Sequence, residues 1–461
     1  MQRIQLNQLV DESDTISVSN RKLFHSLSVT SVSTDSRSLK EGDFFIAIPG
    51  DRFDGHSYVG DAIEKGAVGV VFESEKRRVV EPFVKTNPAV LFVEVPDTRR
   101  LFGAVGRNYL SRFDVKKIAV TGSCGKTTTR GLIAAVLSQR YTVVSSRQSY
   151  NNDIGVPKTI LEIDDSTEVL VQELGTNRPG EIAYLSSIVG QDHALITNVG
   201  PAHIGFFGSE MNIASEKKAA ILALPSTGVA FLNAEDPYFE FLKNGIRACI
   251  KSFGSEKGGL VAEKPIRLNL DRSEFGLSGV TMTVALAGMH GVINAVGAAL
   301  VGLHFGCSLS EVKQGIESYQ GESGRGKVYT VRGVTFLDES YNANPMSVRA
   351  ALDHVAHIEV PGRKVFVFAD MLELGAQEKL YHGEIAKDVL GSRFDALFTY
   401  GGLSAITASR CSELGLAAVF QYQKIGELSE KLSGWVRTGD LVLIKGSRAM
   451  RLERVLKMLL C

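Results

Sequence analysis

Short apolar runs, bounded by turn residues and separated by stretches of helix length, recur along almost the whole chain. In residues 1–113 the runs FFIAI, VGVVF and AVLFVEV alternate with turns rich in Gly, Asp and Ser, a pattern that predicts a small α/β domain. From 114 to 327 the runs are KKIAV, YTVVSS, EVLVQELG and HALITNVG, with helical patterns between them. Strands that are apolar almost throughout imply a parallel sheet covered on both faces. From 328 to 461 the alternation returns in VTFLDES, KVFVFAD, ALFTYG, AAVFQY and DLVLIKG, which predicts a second doubly wound sheet of Rossmann-like form. Ser323, Gly324, Arg325 and Gly326 form a hinge-like link between the last two regions.

The segment KIAVTGSCGKTTT, residues 117–129, adds chemistry to this pattern. A strand ends at Thr121, and Gly122 and Gly125 permit a tight turn through Ser123 and Cys124, so that several N–H groups can face one anion. Lys126, Thr127 and Thr128 then open a helix, whose positive dipole end meets the same point. Lys126 supplies charge for the outer phosphates of a nucleotide, and the Thr127 hydroxyl suits Mg²⁺. Val120 stands where the commoner phosphate-loop pattern has Gly, which makes this the shorter form of the loop. The predicted fold is therefore α/β in three domains. They are a small N-terminal α/β domain (1–113), a central P-loop parallel-sheet ATPase domain (114–327) and a C-terminal Rossmann-like domain (328–461).

In a parallel sheet the C-terminal ends of strands converge where the nucleotide loop sits. Glu173 ends one strand and His203 follows another, so a carboxylate and an imidazole could join Thr127 around Mg²⁺. Taken singly, each also fits an ordinary turn or loop residue. Lys217 shares a helix face with Ile213, Ala220, Ile221 and Leu224. A lysine on an apolar stripe is partly desolvated, which favours the free amine and its uptake of CO₂ as a carbamate. Periodicity alone favours a snorkelling side chain with its ammonium in water. Cys124 is either a thiolate-prone group in the loop or a small filler.

Composition narrows the class. A chain of 461 residues suggests about three domains. Lys plus Arg equals Asp plus Glu at 51 each, so no large basic field exists to hold nucleic acid. No apolar run reaches the roughly 18 residues of a membrane span, and the N-terminus lacks a signal-peptide pattern. Five cysteines, Cys124, Cys249, Cys307, Cys411 and Cys461, are scattered without metal-site spacing and fit a reduced cytoplasm.

GSCGKTTT, QELG, TNVGPAHIGFFGS and IASEKK resemble the central domain of the Mur ligases, ATP-dependent amide-bond ligases of peptidoglycan precursor synthesis. STDSRSLKEGDFFIAIPGDRFDGH resembles the family's N-terminal domain. LDESYNANPMS, ADMLELG and KGSRAMRLE resemble the C-terminal domain of the members that add D-alanyl-D-alanine. The D-N-P-R stretch of members that add meso-diaminopimelate is absent. The resemblance implies UDP-N-acetylmuramoyl-tripeptide and D-alanyl-D-alanine as partners, ATP and two Mg²⁺ ions as cofactors, and a cytoplasmic monomer. It places the phosphate loop on Gly122, Ser123, Cys124, Gly125, Lys126, Thr127 and Thr128. Metal ligands fall on Thr127, Glu173, His203 and a carbamylated Lys217, and catalytic roles on Lys126, Lys217 and His203. Asn294 matches the adenine-side asparagine, with Gly291 where another Asn is usual. Arg325 and Asp338 match ATP contacts of the C-terminal domain. Ser36, Arg37, Asn151 and Asn152 match substrate-side positions. Without the resemblance, the residues also permit a switch that hydrolyses ATP without ligation.

Overall fold

The computed structural model describes residues 1–50, 53–147 and 150–460. Asp51 and Arg52 of the N-terminal motif, and Cys461, lie outside the described residues. The chain forms two compact units. The first comprises Met1–Ala119, Tyr141–Gly175 and Ala183–Gln191; the second comprises Val120–Arg140, Thr176–Ile182 and Asp192–Cys461.

In the first unit, β1 (Ser17–Val18), β2 (Val32–Ser33), β3 (Phe44–Ile46), β4 (Gly69–Glu73) and β5 (Leu91–Val95) form a sheet of order β1-β5-β4-β3-β2. It is parallel except for β1, which runs against β5. Every residue of β3 and β5 is buried, the expected state of strands with both faces covered. Asp97 caps α1 (Thr98–Leu110) by accepting a hydrogen bond from Arg100 N. After β6 (Lys116–Thr121), β7 (Val143–Ser145) pairs in parallel with β8 (Val169–Glu173).

The second unit begins with the phosphate loop and α2 (Lys126–Leu137). β9 (His193–Ile196), β10 (Val229–Asn233), β11 (Cys249–Gly254) and β12 (Leu260–Val261) run parallel, with α3 (Glu210–Leu222) between β9 and β10. An antiparallel meander follows: β13 (Glu263–Leu268), β14 (Ser273–Leu277) and β15 (Val280–Val284). It does not belong to the parallel alternation read from the sequence. Residues 273–277 alternate between buried and half-buried, the period of a sheet with one face on the core. Ser278 and Gly279, both at positive φ, make the tight turn into β15.

The meander leads into α4 (Gly288–His304), which packs along α2. The last sheet contains β16 (Lys327–Val331), β17 (Val334–Glu339), β18 (Lys364–Ala369), β19 (Ala396–Tyr400), β20 (Ala418–Tyr422) and β21 (Leu441–Lys445), in the order β16-β17-β21-β18-β19-β20. Five strands are parallel, as the apolar runs predict; β16 folds back on β17 as an antiparallel edge. α5 (Pro345–Ala356) starts behind the cap Asn344, with proline in the first turn, where its missing N–H does no harm.

His354 on α5 is 3% exposed, and burial, with His290 beside it, pushes its pKa from the usual 6.5 down to about 4. The unfolded chain takes up this proton near pH 6.5, whereas the folded chain resists until about 4. The stability involved is therefore complete above pH 6.5 and is lost as the pH falls toward 4, by at most about 3 kcal/mol. Melting temperatures should drop between pH 7 and 4.5, and His354→Leu should flatten that drop. An identical pH profile in the variant would assign the acid sensitivity elsewhere.

Candidate active site

The segment expected to be the phosphate loop takes the backbone that the glycines predict. Gly122 has φ 146°, and a Cβ there would run into the Thr197 hydroxyl; Gly125 has φ 79° and faces the Asn294 amide, 2.9 Å from where its Cβ would stand. The loop is tied to the segment after β9. The Ser123 hydroxyl donates to Gly200 O at 2.9 Å, Cys124 N donates to Asn198 Oδ1 at 2.8 Å, and the Thr197 hydroxyl donates to Cys124 O at 2.5 Å. Lys126 Nζ folds over the turn and donates to Gly122 O at 2.8 Å. Thr127 and Thr128 are buried in the first turn of α2. Asn294 is thus brought to the loop, and Gly291 has a local reason: its Cβ would lie 2.8 Å from Leu286 Cβ. The Cys124 thiol sits 3.2–3.3 Å from the side-chain amide of Asn344, the cap of α5.

His203, at φ 59°, places Nδ1 2.6 Å from Glu373 Oε2, a contact that holds the Glu373 carboxyl below its usual range. Lys217 is 2% exposed on α3, so it does not snorkel. Its face-mates Ile213, Ala220, Ile221 and Leu224 are buried, as the periodicity predicts. Glu216, assigned by the same periodicity to the side of the helix, is buried too: it accepts from Gly180 N and Ile182 N, both at 2.8 Å. Lys218 points elsewhere, with Nζ donating to Phe241 O at 2.8 Å.

Arg325 and Asp338 belong to one small constellation. Gly326 N donates to Asp338 O at 2.9 Å, Tyr341 N donates to Gly324 O at 3.1 Å, and the Arg325 guanidinium stacks 3.9 Å from the centre of the Tyr341 ring. Burial raises the Asp338 carboxyl, while its Oδ1 accepts from Ser340 N. The neighbouring Glu339 is bound instead by the buried Lys445 at 3.1 Å.

The remaining candidates lie in the first unit. Glu173 is 1% exposed; its Oε1 accepts from Asn151 Nδ2 at 2.7 Å, and its Oε2 has no hydrogen-bond partner among the described residues. Asn152 is structural in geometry, its Oδ1 accepting from Gly155 N at 2.8 Å. Ser36 is buried and its carbonyl accepts from Lys65 Nζ at 2.7 Å, while Arg37 is exposed and paired with Asp35 at 2.7 Å. Among the described residues, no group of three or more His, Cys, Asp or Glu gathers as a metal cluster. Taken each by itself, the donors have the chemistry of a hard cation's ligands: at Glu173 a buried carboxylate oxygen that finds no partner among the described residues, and at Thr127 a buried side chain bearing a hydroxyl.

Three family descriptions match the chain: the Mur ligase family catalytic domain over residues 28–109, the Mur ligase middle domain over 120–302, and the Mur ligase glutamate ligase domain over 324–448. The UDP-N-acetylmuramoyl-tripeptide--D-alanyl-D-alanine ligase of Bacillus subtilis is 33% identical, across 92% of this chain and 92% of its own length. The chain belongs to the Mur ligase family. Among solved Mur ligase structures, MurF from Acinetobacter baumannii superposes with a TM-score of 0.89 at 28% identity, covering 100% of this chain and 99% of that one. MurF from Thermotoga maritima, solved in complex with ADP, gives 0.79 at 26% identity over 93% and 96%. No helix among the described residues of this Mur ligase is long and apolar enough to cross a membrane.

Sequence reasoning missed Asn198, Thr197, Asn344, Glu216 and Glu373. Asn344 carried a readable signal, an Asn–Pro pair opening a helix. The others act through partners distant in the chain.

Proposed function

We propose that the protein is an ATP-dependent ligase joining D-alanyl-D-alanine to UDP-N-acetylmuramoyl-tripeptide, with release of ADP and phosphate, in peptidoglycan precursor synthesis. The observation that carries this is a built phosphate loop, Gly122–Thr128, on a chain that aligns nearly end to end with ligases of that name. The tripeptide carboxylate attacks the γ-phosphorus of ATP, ADP leaves, and an acyl phosphate remains. The dipeptide amine then attacks the acyl carbon and phosphate departs. Lys126 and the N–H groups opening α2 neutralise charge as the phosphoryl group moves. Arg325 and Asp338 meet the nucleotide from the C-terminal side, and Asn294 from α4. Ser36, Arg37, Asn151 and Asn152 serve the UDP-peptide.

Two Mg²⁺ ions, when bound, supply charge compensation between the phosphates and the acyl acceptor. Thr127 and Glu173 would hold one and His203 and a carbamylated Lys217 the other. The 2% exposure of Lys217 supports the last assignment, because it places the amine inside the structure among its apolar face-mates and not in solvent. The working division is 1–113 for the UDP-substrate, 114–327 for ATP and 328–461 for the closing ligase domain. The three family matches support it. The reaction is cytoplasmic, a placement supported by the unpaired Cys124, Cys249, Cys307 and Cys411.

ADP release measured with each UDP-muramoyl peptide, ending in lysine or in meso-diaminopimelate, tests the reading. Release should require both the tripeptide and D-alanyl-D-alanine, and single amino acids should not replace the dipeptide. Rapid ADP release without any dipeptide would make the protein a nucleotide-driven switch instead.

A further inference from the structure

Two loops of the second unit meet at close quarters: the one after β9, which carries His203, and the one after β18, which carries Glu373. Besides the 2.6 Å contact between His203 Nδ1 and Glu373 Oε2, Gly205 N donates to Glu373 O at 3.0 Å. The backbones touch at two glycines. A Cβ on Gly205 would lie 2.6 Å from Gly375 N, and one on Gly375 would lie 2.7 Å from Gly205 Cα. His203 and Glu373 themselves hold φ of 59° and 66°, a region that side-chain-bearing residues keep only where the surroundings over-determine it. A close side-chain contact, a backbone hydrogen bond, two interlocked glycines and two left-handed residues thus converge on one joint.

We propose that Glu373 is a positioning residue for His203, and that it makes orientation of the metal histidine depend on the seating of the C-terminal loop. This rests on the reading of His203 as a metal ligand. The carboxylate, 2.6 Å from Nδ1, is placed to take a proton carried there, which leaves the Nε2 lone pair as the one available to a cation. Such outer partners fix both tautomer and ring angle. Glu373 comes from a stretch more than 160 residues beyond His203. When that loop lifts away, His203 loses its orienting group, so the ion site is finished only with the loop in place.

The test uses Mn²⁺ as the probe, with ADP present and binding read by electron paramagnetic resonance. The His203 ring is followed by ¹⁵N resonance in histidine-labelled protein. Glu373→Ala should weaken Mn²⁺ binding about 10- to 100-fold and convert His203 from one tautomer to a mixture. Glu373→Gln, which keeps an acceptor and loses the charge, should fall between. Gly375→Val should reproduce the loss with Glu373 intact, because it forces the loops apart. If His203→Ala weakens Mn²⁺ binding while Glu373→Ala alters neither affinity nor tautomer, the proposal is overturned and the metal reading stands. If His203→Ala itself leaves Mn²⁺ affinity unchanged, the metal reading falls and takes this proposal with it. A Glu373→Ala protein that melts earlier but keeps affinity and tautomer counts against the proposal as well.

Discussion

Lys126→Ala should reduce the rate of ligation about 10²- to 10³-fold, the usual effect of deleting one preorganised charge at a site of developing negative charge. The structure indicates why the fold should survive. Lys126 is the first residue of α2, where alanine is a good helix former. Two of the bonds lost, from Nζ to Gly122 O and Ser123 O, span a single turn. Each such bond contributes about 1 kcal/mol net, a small part of the stability of a chain this size. The loop would keep its ties to Asn198, Thr197 and Gly200. Circular dichroism melts should therefore be nearly unchanged while ADP release collapses. A folded Lys126→Ala protein with near-normal ligation would take the phosphates away from this loop.

Lys217→Ala should remove most of the activity, and acetate or formate should restore part of it by occupying the space of the missing carboxylate. On this reading the Lys217 ammonium gives up one proton to become the free amine, which joins CO₂ and releases a second proton as the carbamate; Mg²⁺, when bound, would stabilise that anion. Activity of the unmodified protein should fall reversibly in CO₂-depleted buffer. Lys218→Ala is the control. Its ammonium lies over the Phe241 ring, 4.5 Å from the centroid, and on the Phe241 carbonyl, so its loss should touch stability slightly and turnover hardly at all. An essential Lys218 beside a dispensable Lys217 would overturn the assignment.

The two parallel sheets were legible because strands covered on both faces must be apolar nearly throughout; KVFVFAD and DLVLIKG could hardly be read otherwise. The turn that opens α2 was legible because its signal is local: Gly122, Gly125, Lys126 and Thr127 lie within six residues, both glycines hold positive φ, and the helix begins at Lys126. The meander at 263–284 was not, because β13 exposes much of its length and gives no apolar run. Glu216 escaped because a charged residue beside an apolar stripe reads as solvated, whereas its carboxylate is consumed by backbone donors 34 to 36 residues away. Asn198 and Glu373 share that difficulty. Their partners are chosen by topology, and no spacing along the chain announces them.

The ties between the turn at 122–125 and the segment after β9 also bear on turnover. Because Ser123, Cys124 and Gly122 are held by Gly200, Asn198 and Thr197, the conformational entropy of the loop is spent once, when the chain folds, and not again at each arrival of ATP. The Cys124 N–H is already committed to Asn198, so the donors left for an anion begin at Gly125. Departure of ADP then leaves no collapsed loop to rebuild.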